Sequence, residues 1–234
     1  MGRFYPATAA VILSGAAAAR DDFAMPICLA QNPDADALLS RDPLALLIGM
    51  VLDQQIPLEW AFTGPLTLTQ RLGRDLDAAD LAARDPDELA KFFATPPALH
   101  RFPGSMAGRV QELARVIVDE YDGDPAAIWT GVKDAKELLR RIEALPGFGK
   151  QKAKIFLALL GKQLGVRPNG WREAAGEFGA AGSYKSVADI TDGKSLLKVR
   201  EFKKAMKAEA KAKGPAKAPT KAAKKASKKA AASR

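Results

Sequence analysis

The sequence predicts an all-α fold, and three observations carry that reading. Apolar residues recur at helical spacing in one segment after another, as in Leu44, Leu47, Ile48, Val51 and Leu52. An Asn or Asp followed by Pro opens several of these segments, the pair expected at an N-cap and first helical position. No stretch shows the strict alternation of a half-buried strand. About ten short helices joined by Pro, Gly and Asp turns build an all-α domain.

The elements follow from these signals in chain order. Asn32-Pro33 starts a short helix that runs through Leu39, and Asp42-Pro43 starts a strongly buried one that ends near Gln54-Gln55, before Pro57. A helix begins at Pro57 and continues to about Leu72, with Gly64-Pro65 expected to kink or break it near Phe62. Asp77 caps Ala78–Ala83, and Asp85-Pro86 starts a helix toward Phe93. Met106–Tyr121 places Val110, Leu113, Ala114 and Ile117 on one face. Asp124-Pro125 opens a turn to Trp129. Asp134–Ala144 turns Leu138, Leu139 and Ile142 inward, and Gly149–Leu164 turns Ala153, Phe156, Leu157 and Leu160 inward. Ser186–Ile190 and Leu196–Lys213 complete the series.

Charge and composition divide the chain into an N-terminal extension (1–31), one domain (32–200) and a basic tail (201–234). The overall charge is +9, yet residues 200–234 hold thirteen Lys/Arg and two Glu, a net +11, which leaves −2 for residues 1–199. The tail is Ala/Lys/Pro-rich, helical at its start, and has no large apolar residue after Met206, so it is expected to be disordered when free. Its charge suits salt-sensitive, sequence-independent attachment to nucleic acid by counterion release. The apolar stretch from Ala7 to Ala19 is too short and too weak to span a membrane and makes a poor signal peptide. A single cysteine, Cys28, excludes an internal disulfide and any four-cysteine metal centre. His100 is the only histidine and reads as a loop residue, so no metal and no cofactor are expected.

The sharpest motif is Leu145-Pro146-Gly147-Phe148-Gly149-Lys150-Gln151-Lys152, between two amphipathic helices. Pro146 ends the first helix, and Gly147 and Gly149 permit a tight turn. The second helix then opens with free backbone N–H groups able to hold one DNA phosphate, with Lys150 and Lys152 adding charge at the rim. This segment resembles the helix-hairpin-helix of the endonuclease III superfamily of DNA glycosylases. Val51-Leu52-Asp53-Gln54-Gln55-Ile56, about ninety residues upstream, resembles the helix end that carries a glutamine in that family. The likeness spans roughly Asp34 to Gly179.

The resemblance implies a helix-hairpin-helix glycosylase-like domain that binds double-stranded DNA, damaged or mispaired, and acts in base excision repair. Leu145, Gly147, Phe148, Gly149, Lys150 and Lys152 would hold the backbone, Gln54 or Gln55 would fill the gap left by a flipped base, and Trp60 and Trp171 are candidates for the base pocket. It also exposes departures. The family's catalytic aspartate falls at Asn169, which cannot supply a negative charge to the sugar cation. The lysine of strand-cleaving members falls at Gln151, which cannot form a Schiff base, so lyase activity by that route should be absent. The iron–sulfur cysteines are missing.

Three explanations stand side by side. A carboxylate comes from elsewhere, with Asp53 and Glu173 ahead of Glu59 and Glu177; or Asn169 positions a water for an easily released base; or the domain binds DNA without breaking a bond. The sequence therefore reads as a monofunctional DNA glycosylase, with a non-catalytic protein for lesion recognition or nucleoid association as the alternative. A monomer, cytoplasmic and associated with the nucleoid, is expected.

Overall fold

A computed structural model gives the fold and describes residues 27–212. The N-terminal apolar stretch and the tail from Lys213 onward lie outside the described residues. All regular structure among the described residues is helical, apart from one isolated bridge between Asp134 and Asn169. No helix among them is long and apolar enough to cross a membrane.

Helices α1 (Pro33–Arg41) and α2 (Pro43–Leu52) start as the Asn-Pro and Asp-Pro signals predict. The Asn32 side chain accepts from the N–H groups of Asp34 and Ala35, and Asp42 accepts from Leu44 and Ala45. Every residue of α2 from Leu44 to Leu52 is buried, so this helix is the centre of the core. Ile27 and Leu29 are buried with it, which extends the domain into the segment assigned by composition to the N-terminal extension.

Helix α3 (Leu58–Leu72) runs unbroken through Gly64-Pro65, against the expectation of a kink or break. The pair serves packing instead. A Cβ on Gly64 would lie 2.6 Å from Leu52 Cδ1, and one on Gly49 would lie 2.7 Å from Phe62 Cδ1. Each helix thus gives up a side chain where the other presents a large one, and tertiary contact outweighs the local cost of an internal proline.

Helices α4 (Ala78–Ala83) and α5 (Pro86–Ala94), capped by Asp77 and Asp85, pack on the long α6 (Pro103–Tyr121). Gln111 of α6 is buried and donates to the carbonyls of Leu81 and Arg84 at the end of α4. Helix α6 starts one turn earlier than the apolar spacing suggests, with Pro103 at its first position. A short 3-10 turn (Pro125–Ile128) leads to α7 (Ala135–Ala144) and α8 (Lys150–Gln163). Phe156 of α8 meets Trp129 and Phe148 edge-on or tilted, with ring centroids 5.8 and 5.6 Å apart.

A short helix that the spacing did not reveal, α9 (Trp171–Ala175), folds back on α8. Another 3-10 turn (Val187–Asp189) precedes α10 (Gly193–Ala212). This last helix starts before Leu196 and runs without interruption past the expected domain boundary at residue 200. Ser195, Leu196 and Val199 are buried in it, whereas positions 203–209 are exposed.

Candidate nucleic-acid interface

The α7–α8 connection is built around Gly147. Leu145 caps α7 with a buried side chain, and the Phe148 N–H closes a tight turn onto Leu145 O at 3.0 Å. Gly147 has φ +87°, and a Cβ there would lie 2.9 Å from Arg109 Cδ and 3.2 Å from Val51 Cγ2. Glycine is therefore required twice, for backbone conformation and for close approach to α2 and α6. Gly149 differs: nothing lies within 4 Å of where its Cβ would be, and no side chain caps α8. Its carbonyl accepts from Ala153 N, which leaves the amides of Lys150, Gln151 and Lys152 without an intrahelical acceptor. Lys150 and Gln151 are exposed beside them. Phe148 buries its ring, so only its backbone is on the outer side of the turn.

Lys152 departs from its expected place at the rim. Its Nζ donates to Met50 O at 2.5 Å and Val51 O at 3.4 Å, closing the C-terminal end of α2. Burial, opposed by the nearby Asp53 carboxylate, pulls its pKa from the ordinary 10.5 down to about 8. The side chain therefore ties the hairpin to α2 rather than reaching outward.

The two glutamines divide their roles. Gln54 is held on all sides: Nε2 donates to Val51 O at 2.6 Å, Oε1 accepts from Arg109 at 3.2 Å, and its carbonyl lies 2.8 Å from His100 Nε2. The Phe102 N–H donates to His100 Nδ1 at 3.1 Å, so the proton of the neutral ring sits on Nε2 and is given to Gln54 O. His100 is a loop residue, as expected, and it is buried there as a strut. Gln55 is exposed, with φ +57°, a left-handed conformation that a side-chain-bearing residue adopts at a cost. Of the pair, Gln55 is the one free to leave the surface.

The strut also brings in residues that the sequence reading missed. Phe102 is 46% exposed, carries the Arg101 guanidinium over its ring at 4.8 Å from the centroid, and is anchored through His100 to the Gln54 backbone. A basic residue beside an aromatic in a proline-bounded loop was the available signal. Arg109 was hidden inside an amphipathic helix pattern.

A cleft of about 440 Å³ opens between the C-terminal end of α2, the first turn of α8, and Val187 and Lys203 near and on α10. Asp53, Gly149, Lys150, Gln151, Lys152 and Ser186 also line it, and Asp53 is the only carboxylate in its wall among the described residues. The other acidic candidates are elsewhere. Glu59 pairs with Arg200, Glu177 pairs with Lys185 at 2.9 Å, and Glu173 is exposed on α9.

Asn169 is not beside the hairpin either. Its N–H donates to Lys133 O at 2.8 Å and its carbonyl accepts from Ala135 N at 3.1 Å, which fixes it at the start of α7. The hairpin lies at the other end of that ten-residue helix, about 15 Å along its axis. Of the three candidates Asp53, Asn169 and Glu173, only Asp53 lines the cleft beside the hairpin.

Neither candidate tryptophan lines this cleft. Trp171 is buried against Gly161, whose missing side chain makes room for the ring, and Arg172 covers it at 4.4 Å. Trp60 donates its indole N–H to Ala98 O at 2.9 Å in a separate recess of about 290 Å³ with Glu59 and Thr63. Among the described residues no group of three or more His, Cys, Asp or Glu is placed to hold a metal ion. Comparison with protein-family models, with curated proteins and with solved structures finds no match to this chain.

Proposed function

We propose that this protein binds duplex DNA through the α7–α8 hairpin and releases a damaged or mispaired base as a monofunctional DNA glycosylase of base excision repair. The observation that carries the reading is the cleft directly beside the uncapped start of α8, with a single carboxylate, Asp53, in its wall. One DNA phosphate would sit on the amides of Lys150 and Gln151, favoured by the helix dipole and the Lys150 charge. Gln55 and Phe102 would occupy the space vacated when a nucleotide leaves the stack.

In the cleft, Asp53 faces the sugar. As the bond between C1′ and the base nitrogen breaks, the bonding pair leaves with the base and positive charge develops on the sugar, which the carboxylate stabilises. Water adds to C1′ and loses a proton, and the departing base takes up a proton. The products are an abasic sugar and a free base. The tail beyond residue 212 would add non-specific attachment to DNA and hold a cytoplasmic monomer on the nucleoid.

One observation favours the non-catalytic alternative. The Lys152 ammonium lies close enough to Asp53 to offset part of its charge. A base-release assay over a panel of lesion-bearing duplexes separates the two. Release by the wild type, lowered at least 100-fold by Asp53→Asn and unchanged by Asn169→Ala and Glu173→Gln, is the expected result. Tight duplex binding with no release from any member would instead establish a lesion-recognition protein.

A further inference from the structure

Helix α10 leaves the body of the domain as a rod. Its last buried residue is Val199, positions 203–209 are all exposed, and the helix continues thirteen residues beyond Val199, about 20 Å. The root of the rod is fixed. Val199 belongs to the core, Arg200 pairs with Glu59 of α3, and Lys203 stands in the wall of the hairpin cleft with Asp53 and Lys150. The rod therefore starts at the mouth of that cleft, and its direction is set before its free part begins.

Packing does not account for the helical state of this free part. Its run of Lys, Ala, Met and Glu has high intrinsic helix propensity, enough to continue a helix from an anchored root. The surface of the rod is thus left uncovered by the described fold. At about 100° per residue, Lys203, Lys207 and Lys204 fall within one sector of roughly 100°, with Glu209 opposite and Glu201 outside it. Solubility alone would be served as well by lysines spread round the rod. Here the three share a side, and Lys203 makes that side continuous with the cleft. Among the described residues, none of the three has a carboxylate within ion-pair distance.

Charge complementarity says what covers this side. Residues 27–134 hold nine Lys/Arg and seventeen Asp/Glu, a net −8, whereas residues 135–212 hold seventeen and eight, a net +9. The hairpin and the rod both belong to the positive half, so a polyanion that reaches one is drawn along the other.

We propose that the free half of α10 lies along the phosphate backbone of the duplex held by the hairpin, on one flank only of the position that faces the cleft. At ~3.4 Å per base pair the rod covers about six base pairs, with Lys203, Lys204 and Lys207 on the phosphates. The inference rests on the duplex-binding part of the function proposed above and not on base release. Unlike the tail beyond residue 212, this contact has a fixed place and depends on the helix as well as on its charge.

Hydroxyl-radical footprinting and anisotropy titration of the full chain on a duplex of about 30 base pairs with a central tetrahydrofuran abasic site test it. Protection by the wild type is expected to reach about six base pairs further on one flank than on the other. Lys203→Gln/Lys204→Gln/Lys207→Gln should erase that extra protection, weaken binding at least tenfold and lower the salt slope by roughly 2–3. Ala205→Pro keeps every charge, breaks the rod beyond its last buried residue and should erase the same protection. Symmetric protection by the wild type, or a triple variant with wild-type affinity and footprint, overturns the proposal. An Ala205→Pro footprint identical to that of the wild type overturns it as well, because charge without the helix would then suffice. These three results leave duplex binding by the hairpin standing; absence of any duplex binding by the wild type at low salt overturns both.

Discussion

Three residues around the hairpin make separate demands on backbone, charge and exposure. Gly147→Ala introduces a Cβ at φ +87° and 2.9 Å from Arg109 Cδ. Strain and overpacking together should cost about 2–4 kcal/mol, read as a fall in the urea midpoint at unchanged m. Gln55 tests the opposite case. Its left-handed backbone suits glycine, so Gln55→Gly should keep stability the same or raise it by up to ~1 kcal/mol. The same change should weaken lesion-duplex binding several-fold in a gel-shift titration; unchanged affinity would remove Gln55 from the proposed DNA-facing surface.

Lys152 gives a pH signature. Its folded pKa of about 8 lies below the ordinary 10.5, so between those values the unfolded chain holds more protons at this site than the folded one. Stability from this group therefore rises as pH increases from about 8 toward 10.5, and below 8 the full cost of burying the charge is present. Lys152→Met should flatten that rise in denaturant midpoints taken from pH 7.5 to 10. An identical slope in both proteins would mean that the amine is not desolvated.

At the scale of elements, what the sequence made legible is what local chemistry decides. The caps at Asn32, Asp42, Asp77, Asp85 and Asp124 were readable because an Asx oxygen and the first amides of a helix lie within three residues of each other. Asp42→Ala should cost about 1 kcal/mol in chemical denaturation, because it removes both bonds that start the central helix. What escaped the sequence reading depends on partners distant in the chain. The continuity of α3 through Pro65 is decided by its contact with α2, where Leu52 lies on Gly64 and Phe62 lies on Gly49. Helix α9 is decided by the fit of Trp171 on Gly161. Gly49→Ala would force Cβ against Phe62 and should destabilise by about 1–3 kcal/mol, more than an exposed Gly108→Ala, where nothing lies within 4 Å.

Over the whole molecule, the hairpin turn was legible because Pro146, Gly147 and Gly149 act within a few residues. The cleft beside it was not, because Asp53, Ser186 and Lys203 come from three distant segments. Spacing from the hairpin placed Asn169 at the chemistry, while its backbone pairing at the start of α7 separates the two by a helix length. Lys152 shows the same limit: a lysine after a glycine turn reads as a phosphate ligand until the carbonyls of Met50 and Val51 are found beneath it. Charge, in contrast, is additive along the chain. Deleting residues 213–234 removes eight Lys/Arg, and the slope of log K against log salt for duplex binding should fall by roughly 0.9 for each phosphate that the tail neutralises. The drop in affinity should be nearly the same for damaged and undamaged DNA. A change in lesion preference on deletion would mean that the tail reads more than charge.

The bond from Lys152 to Met50 joins positions 102 residues apart, and this has a consequence for synthesis on the ribosome. At the usual elongation rate of roughly 5–20 residues per second, α2 exists for about 5–20 s before the lysine that closes its last carbonyls has been made. During that interval α2, apolar from Leu44 to Leu52, has an open end, and Gly147 has not yet arrived to cover Val51. Nascent chains released before residue 152 should therefore bind chaperones longer than chains released after α8, and the proposed DNA-facing surface should be among the last parts of the described fold to form.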